Sequence, residues 1–372
     1  MYAFLETYMI QIISGKRQGI FPSIIKGILL ILSWIYQAIM YVRNWGFDQG
    51  LFRQYDPPVP LVISIGNIVA GGTGKTPVTL KLAEEFVSTF HTVILSRGYR
   101  SQAEHLSAPI ILSHGDGQGP IHAASFCGDE PYMLAKNLPE ALIIVGKDRR
   151  RATILASKSG GQLVLLDDGM QHRRLARDFD VVVMDASNPF GYGYYLPRGF
   201  LRESLNSLAR VDLIVLNHIY SDERYDEVKK EIEKYSKAPV VGVQMKVQGV
   251  WTLSEHQPVD LKGVKVGVFC AIANPEYFSQ TVKDRGAEIV SSQFEPDHLD
   301  FKTQQLNEFA TLCKNRGAEY LVCTEKDQVK ISDSQKIALP IVWIQIQLHI
   351  VKGEYEWSAF IAKAKNELLN RV

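Results

Sequence analysis

The stretch that decides the fold is Val59-Pro60-Leu61-Val62-Ile63-Ser64-Ile65 followed by Gly66-Asn67-Ile68-Val69-Ala70-Gly71-Gly72-Thr73-Gly74-Lys75-Thr76-Pro77. The apolar, β-branched run predicts a strand. Pro77 suits the first turn of a helix, where its missing N–H costs nothing. A glycine-rich loop between strand and helix, closing on Gly-Lys-Thr, is the setting of a phosphate-binding P-loop. Backbone N–H groups of such a loop turn inward around phosphates, and the helix N-terminus adds positive potential. Gly71, Gly72, Thr73, Gly74, Lys75 and Thr76 are therefore the candidate nucleotide-binding residues. Lys75 can reach the β- and γ-phosphates of ATP, and the Thr76 hydroxyl can ligate Mg²⁺. The strict pattern has glycine at position 69, where this chain has Val69. A plain Gly-rich turn is the alternative, and Gly-Lys-Thr-Pro directly after a strand argues against it.

A nucleotide site of this kind needs an acid at a second strand end. Leu163-Val164-Leu165-Leu166-Asp167-Asp168-Gly169 supplies four apolar residues and then two carboxylates. Alone, Asp-Asp after a strand is more often a turn or a helix cap. Paired with the P-loop it reads as a Walker B segment, one acid reaching Mg²⁺ directly or through water and the other positioned nearby. Thr76, Asp167 and Asp168 are the candidate metal residues, and which aspartate touches the metal stays open.

Working outward, short apolar runs alternate with helical stretches: Val59–Ile65, Val93–Ser96, Ile110–Ser113, Leu142–Val145, Leu163–Asp167, Val181–Met184 and Leu213–Asn217. Continuous apolar strands separated by helices predict a parallel sheet covered on both faces. Val264–Phe269, Ile289–Val290, Tyr320–Cys323 and Ile341–Ile346 form a second set. Residues 244–261 lack helical periodicity and read as an extended linker. The expected organisation is an N-terminal segment over 1–56, a P-loop domain over 57–243, a linker over 244–262 and a smaller α/β domain over 263–372. A last helix over Tyr355–Leu369 could pack on either domain.

The N-terminal segment is unusually poor in charge. Residues 1–42 hold only Glu6, Lys16, Arg17 and Lys26, and Gly27 to Val42 holds none. A spanning helix needs about 20 apolar residues, so the run is short for that role. No small-residue cleavage site follows it convincingly, which makes a signal peptide a poor match. On a helix, Ser23, Lys26, Ser33, Gln37, Tyr41 and Asn44 fall in one arc of roughly 80°, with apolar residues over the rest. That pattern predicts a helix embedded in a membrane interface.

At 372 residues the chain is long for one core, and its formal charge of +1 lacks the basic excess of a nucleic-acid coat. No nucleic acid and no obligate protein partner are implied. The four cysteines form no C-x-x-C pair, so neither a zinc site nor a disulfide framework is expected.

A P-loop does not by itself separate a kinase from a regulatory GTPase or another NTPase. Leu216-Asn217-His218 and Thr324-Glu325-Lys326-Asp327 do not match the Asn-Lys-x-Asp guanine reader. A kinase needs a base and cations for an anionic acceptor. Asp129, in Gly128-Asp129-Glu130-Pro131, is either that base or a helix cap, and the pattern leaves both open. His298 on its own is an ordinary loop histidine. Arg97 with Arg100, and Lys147 with Arg149, Arg150 and Arg151, follow strands and could meet an anion or water.

Taken in order, these segments resemble the tetraacyldisaccharide 4′-kinases of the lipid A pathway. The likeness rests on the P-loop with its Val69, Ser96-Arg97-Gly98-Tyr99, Gly128-Asp129-Glu130-Pro131 and Gly146-Lys147-Asp148-Arg149. It continues through Leu166-Asp167-Asp168-Gly169-Met170-Gln171-His172, Leu196-Pro197-Arg198-Gly199, Leu201-Arg202-Glu203, Ala271-Ile272-Ala273-Asn274-Pro275, Asp297-His298 and Thr324-Glu325-Lys326-Asp327. Tyr192-Gly193-Tyr194-Tyr195 departs from the family's usual sequence before Leu-Pro. The resemblance implies a P-loop NTPase-like three-layer α/β/α domain and a smaller α/β/α domain, joined by a two-stranded linker, with an N-terminal membrane-interface helix. It implies ATP and Mg²⁺, and a lipid A disaccharide 1-phosphate whose 4′-hydroxyl is phosphorylated at the cytoplasmic face of the bacterial inner membrane. It further implies Asp129 as the catalytic base supported by His298, with Lys75 on the phosphates. Arg97, Arg149, Arg202 and Glu203 are implied to position substrate. A membrane-associated P-loop NTPase regulating a partner is the alternative.

Overall fold

The computed structural model describes residues 2–272, 274–296, 301–331 and 337–372, with the side chains of 2–7 excepted. The chain divides into two compact units, one of residues 1–121, 134–244 and 348–372, the other of residues 122–133 and 245–347.

The first unit opens with α1 (Tyr2–Ile13) and α2 (Ile20–Asp48) and then alternates. Its elements are β1 (Leu61–Gly66), α3 (Lys75–Val87), β2 (Thr92–Ser96) and β3 (Ile110–His114). Residues 122–133, with α4 (Ala124–Cys127) and the start of α5 (Asp129–Asn137), belong to the second unit; the first unit resumes with β4 (Leu142–Val145), α6 (Arg149–Lys158), β5 (Leu163–Asp167), β6 (Phe179–Asp185), β7 (Leu213–Asn217) and α7 (Asp222–Ile232). Strand order is β7-β6-β1-β5-β2-β4-β3, with the first residues of β8 (Val240–Thr252) added beyond β7. All pairs are parallel except β3 with β4, so the expected all-parallel sheet gains an antiparallel edge. Every residue of β1, β2, β4, β5 and β7 is buried, which explains their unbroken apolar sequences. Ala152 and Ala156 of α6 pack with Val62, Val93 and Val164 on one face, where Val228 and Ile232 of α7 also sit with Val182 and Ile214. The other face is covered by α3, whose Val78, Leu82 and Phe86 are buried, and by the last helix α11 (Glu354–Leu369). In α11, Phe360 meets Phe179 edge-on and Trp357 Nε1 donates to Glu85 at 3.2 Å. The last helix thus belongs to the first unit.

The second unit is a parallel sheet in the order β10-β9-β11-β12, from β9 (Lys265–Cys270), β10 (Glu288–Phe294), β11 (Tyr320–Thr324) and β12 (Ile341–Lys352). Phe278 and Val282 of α8 (Pro275–Asp284) pack with Val266, Val268 and Val322. Leu306, Phe309 and Cys313 of α9 (Thr303–Asn315) pack with Leu321, Cys323 and Trp343 on the opposite face. The short α10 (Glu325–Gln328) follows β11. Besides the crossings on either side of residues 122–133, the chain passes between the units within β8 and β12, which are neighbours in the sheet, so the linker is two-stranded.

Helix α2 lies against the first unit through Ser33 and Asn44 of its polar arc and through Tyr36 and Arg43 beside that arc. Ser33 Oγ donates to the Tyr195 carbonyl at 2.9 Å, Tyr36 donates to the Arg202 carbonyl at 3.2 Å, and Arg43 donates to the Gln171 carbonyl. These donors satisfy carbonyls that the docked helix would otherwise leave without partners. Ile24, Ile28, Ile31, Trp34, Ile35 and Ile39 remain more than half exposed.

Candidate active site

The site of the first unit grows from the C-terminal end of β1, at the centre of its sheet. Gly66 ends the strand where an added Cβ would lie 2.5 Å from Met170 Cβ, so only glycine lets the segment after β5 pass. Gly74 precedes α3 at φ 87°, in left-handed backbone that glycine adopts freely, and a Cβ there would strike the Asn217 amide. Between these points the loop is braced from outside. Ala70 N donates to the Phe200 carbonyl and Arg202 N to the Ile68 carbonyl, each at 2.7 Å. Asn67 Nδ2 donates to Thr73 Oγ1 at 3.1 Å, Gln171 Nε2 to the Asn67 carbonyl at 2.8 Å, and Asn217 Nδ2 to the Thr73 carbonyl at 3.2 Å. These bonds fix the loop's shape, while Gly71 and Gly72 stay exposed.

The Walker B acids have different surroundings. Asp167, the last residue of β5, is buried, and Ser96 Oγ donates to its Oδ2 at 3.2 Å. Ser96 is there because β2 pairs with β5 in the register Leu95↔Leu166, which brings the next residues side by side. Asp168 takes left-handed backbone, φ 52°, and points toward cations. Arg202 grips it bidentately at 2.9 and 3.2 Å, and Lys75 Nζ is 3.6 Å away. Burial raises the Asp168 carboxyl, but Lys75, Arg202 and Arg149 outweigh it and hold the group at about 2. Lys75 and Asp168, proposed from sequence to act together, therefore meet at the end of β5; Asp167 precedes Asp168 there, and Thr76 follows Lys75 at the start of α3.

The nominated substrate residues separate into two kinds. Arg202 also reaches Asn67 Oδ1 at 2.9 Å and so ties Asp168 to the P-loop. Arg97 is 49% exposed beside Glu104, at 2.8 Å. Arg149 is only 4% exposed, and Nη2 donates to the Asp167 carbonyl at 2.9 Å. Burial lowers its guanidinium to about 10, with Asp167 and Asp168 opposing, so it remains charged at neutral pH. Glu203 is fully buried and accepts from Asn44 of α2 at 3.3 Å and from Arg210 at 3.1 Å, with Arg43 3.9 Å away. It anchors α2 to the unit. Burial, reinforced by Arg149, Arg177 and Arg43, lowers His172 to about 4 and keeps it neutral.

In the second unit, Asp129 begins α5, and its Oδ2 lies 3.1 Å from Lys330 Nζ. Lys330 was not singled out in the sequence, because nothing local connects it to a residue some two hundred positions earlier. Downstream of β11, Asp327 is buried, accepting from Ala271 N at 3.0 Å and bonding Thr324 Oγ1 at 2.6 Å. This gives Thr324-Glu325-Lys326-Asp327 a structural role in shaping the turn that carries Lys330. His298 and Asp297 lie outside the described residues, as does Ala273.

Comparison with known proteins agrees with this architecture. The family model for tetraacyldisaccharide-1-P 4′-kinase, LpxK, matches residues 25–365. The tetraacyldisaccharide 4′-kinase of Halothermothrix orenii is 35% identical, across 96% of this chain and 98% of its own. That of Anaeromyxobacter sp. is 33% identical, across 96% of this chain and 97% of its own. The crystal structure of LpxK from Aquifex aeolicus in complex with ATP superposes with a TM-score of 0.72 at 26% identity, covering 91% of this chain and 99% of that one. With a P-loop, a Walker B pair and two α/β units matched over nearly their whole length, the chain belongs to the tetraacyldisaccharide-1-P 4′-kinase family.

Proposed function

We propose that this protein transfers the γ-phosphoryl group of ATP to the 4′-hydroxyl of a tetraacylated lipid A disaccharide 1-phosphate, giving lipid IVA by direct in-line transfer. The observation that carries this reading is the Lys75–Asp168–Arg202 cluster at a braced P-loop in a chain of this family. A polyphosphate entering the loop exchanges for Asp168 as the partner of Lys75. Lys75 and the loop amides then face charge that develops on the transferred group. Asp129 accepts the proton of the 4′-hydroxyl as its oxygen attacks phosphorus, and ADP leaves. His298 supports Asp129 in this reading.

Thr76, Asp167 and Asp168 offer hard oxygen donors suited to Mg²⁺. Ser96 Oγ already orients the Asp167 carboxylate, so the set fits the ion. Bound there, Mg²⁺ neutralises phosphate charge.

The acceptor is a lipid and ATP is cytosolic, which puts the working site at the cytoplasmic face of the inner membrane. The exposed apolar face of α2 supports interfacial attachment to the inner leaflet. By length and composition alone α2 is also apolar enough to cross a bilayer, but its hydrogen bonds to the unit favour a helix lying on the surface. A cavity of about 600 Å³ between α2 and residues 171–174 has Ile39, Val42 and Phe47 on its walls and Arg43, Arg173 and Arg174 among them. Apolar walls with cations suit a phosphorylated amphiphile. Phosphorus NMR of the lipid product tests the assignment: a new monoester at the 4′ position is expected, and a pyrophosphate at position 1 contradicts it.

A further inference from the structure

Two residues brace Asn67 of the P-loop, and α2 holds both. Gln171 Nε2 donates to the Asn67 carbonyl at 2.8 Å, and the Gln171 carbonyl in turn accepts from the Arg43 guanidinium. Arg202 donates to Asn67 Oδ1 and to Asp168 Oδ1, each at 2.9 Å, and its N–H bonds the Ile68 carbonyl. The Arg202 carbonyl accepts from the Tyr36 hydroxyl at 3.2 Å. Tyr36 and Arg43 are about two helical turns apart, so both side chains leave α2 on one face. That face is the docked one, for Leu29, Ser33, Met40 and Phe47 are buried along it. Ser33 holds the Tyr195 carbonyl, at the start of the segment whose Phe200 and Arg202 bond the loop backbone. Apolar side chains alone would dock a helix without the cost of desolvating donors. The donors of this face instead meet the backbone of the residues that shape the P-loop.

Resting on the ATP-dependent reading above, we infer that Tyr36 and Arg43 are positioning residues of the phosphate site. Tyr36 acts through Arg202 and Arg43 through Gln171, and together they fix Asn67 and Asp168 in the geometry that receives the triphosphate. Neither side chain touches the nucleotide. Without its donor from α2, each carbonyl is freed to move and to carry with it the side chain that braces the loop. The helix that offers its outer face to lipid thus sets, through its inner face, the loop that meets ATP. A role confined to lipid attachment would leave nucleotide binding in the absence of lipid untouched, and this separates the two.

The test is calorimetric binding of ATP and of inorganic tripolyphosphate, each with Mg²⁺, to the full-length protein in detergent without lipid substrate, beside a thermal melt. The variants are Y36F, Y36F/R43M and Y41F, the last deleting a hydroxyl from a ring of the same helix that is 71% exposed. Y36F removes one hydrogen bond and little packing, so it is expected to stay folded and to bind both ligands about threefold more weakly. Y36F/R43M is expected to lose about tenfold or more for both, and Y41F to bind as the wild type does. Wild-type affinities in Y36F overturn the inference, whatever the melting temperature, and leave Tyr36 as a helix anchor only. A loss for ATP without one for tripolyphosphate also overturns it, by moving the effect away from the phosphates, as does an equal loss in Y41F. A wild-type protein that binds ATP but leaves the lipid unphosphorylated contradicts the kinase reading instead, so the two failures are distinguishable.

Discussion

Lys330 Nζ and Asp129 Oδ2 are 3.1 Å apart, and their side chains are only 8% and 15% exposed. An ion pair so shielded holds its carboxylate in one orientation. If Asp129 is the base, Lys330 positions it. Lys330→Met is then expected to lower kcat by about 10–100-fold with little change in KM for ATP, and Lys330→Arg to recover most of that loss. Steady-state kinetics with separate ATP and lipid titrations measures both numbers. An equal loss in both variants would assign Lys330 a packing role.

Lys75→Ala should leave the fold intact and reduce phosphoryl transfer by about 10²–10³-fold or more, since it deletes a preorganised charge at the transferring group. Kinetics beside a thermal melt separates that effect from instability.

Much of this arrangement is legible in the sequence. Leu142–Val145, Leu163–Asp167 and Leu213–Asn217 are strands with the limits their apolar runs suggest, because fully buried parallel strands admit few polar residues. Strand β10 runs on through Ser291, Ser292 and Gln293, which backbone pairing at a sheet edge holds without an apolar pattern. Residues 244–252 of strand β8 read only as part of an extended linker, because that part of the strand alternates irregularly in burial. The P-loop and Walker B residues announce themselves by local spacing. Ser96, Asn67, Asn217 and Lys330 do not, since each acquires its role from a neighbour that only strand order or a distant turn provides.

The Asp168 pairing has a pH signature. Its carboxyl titrates at about 2 in the folded chain, against about 4 for an ordinary aspartate. A depressed carboxyl contributes stability that is complete above the unfolded value and disappears as pH falls toward 2. Asp168→Asn should therefore lower the urea midpoint at pH 7, and the two proteins should converge as the pH is brought from 4 to 2. Parallel curves across that range would show that the ion pairs with Lys75 and Arg202 contribute nothing to folding.

Glu203 is the buried anchor of α2, and removing it leaves Arg43 and Arg210 facing each other without their shared carboxylate. Glu203→Ala is expected to cost about 3 kcal/mol and to lower Tm by several degrees, with Glu203→Gln milder. Limited proteolysis should then cut α2 sooner than in the wild type. An unaltered melt and cleavage pattern would contradict the anchoring role.

The exposed face of α2 makes a prediction about membranes. Ile28→Glu together with Ile35→Glu removes two apolar side chains worth roughly 1.5–3 kcal/mol each when buried. Sedimentation with phosphatidylglycerol-containing vesicles should show partitioning reduced by about a hundredfold, while activity on detergent-dispersed lipid changes far less.

In this family's reaction the phosphoryl group leaves ATP for a lipid hydroxyl. Its most direct test supplies γ-labelled ATP, Mg²⁺ and tetraacyldisaccharide 1-phosphate in detergent to the wild type and to Asp129→Asn, and follows label into the lipid. Stoichiometric label in the lipid is expected with the wild type and a residual rate with Asp129→Asn. Label appearing only as inorganic phosphate, with the lipid unlabelled, would contradict it and identify an NTPase in its place.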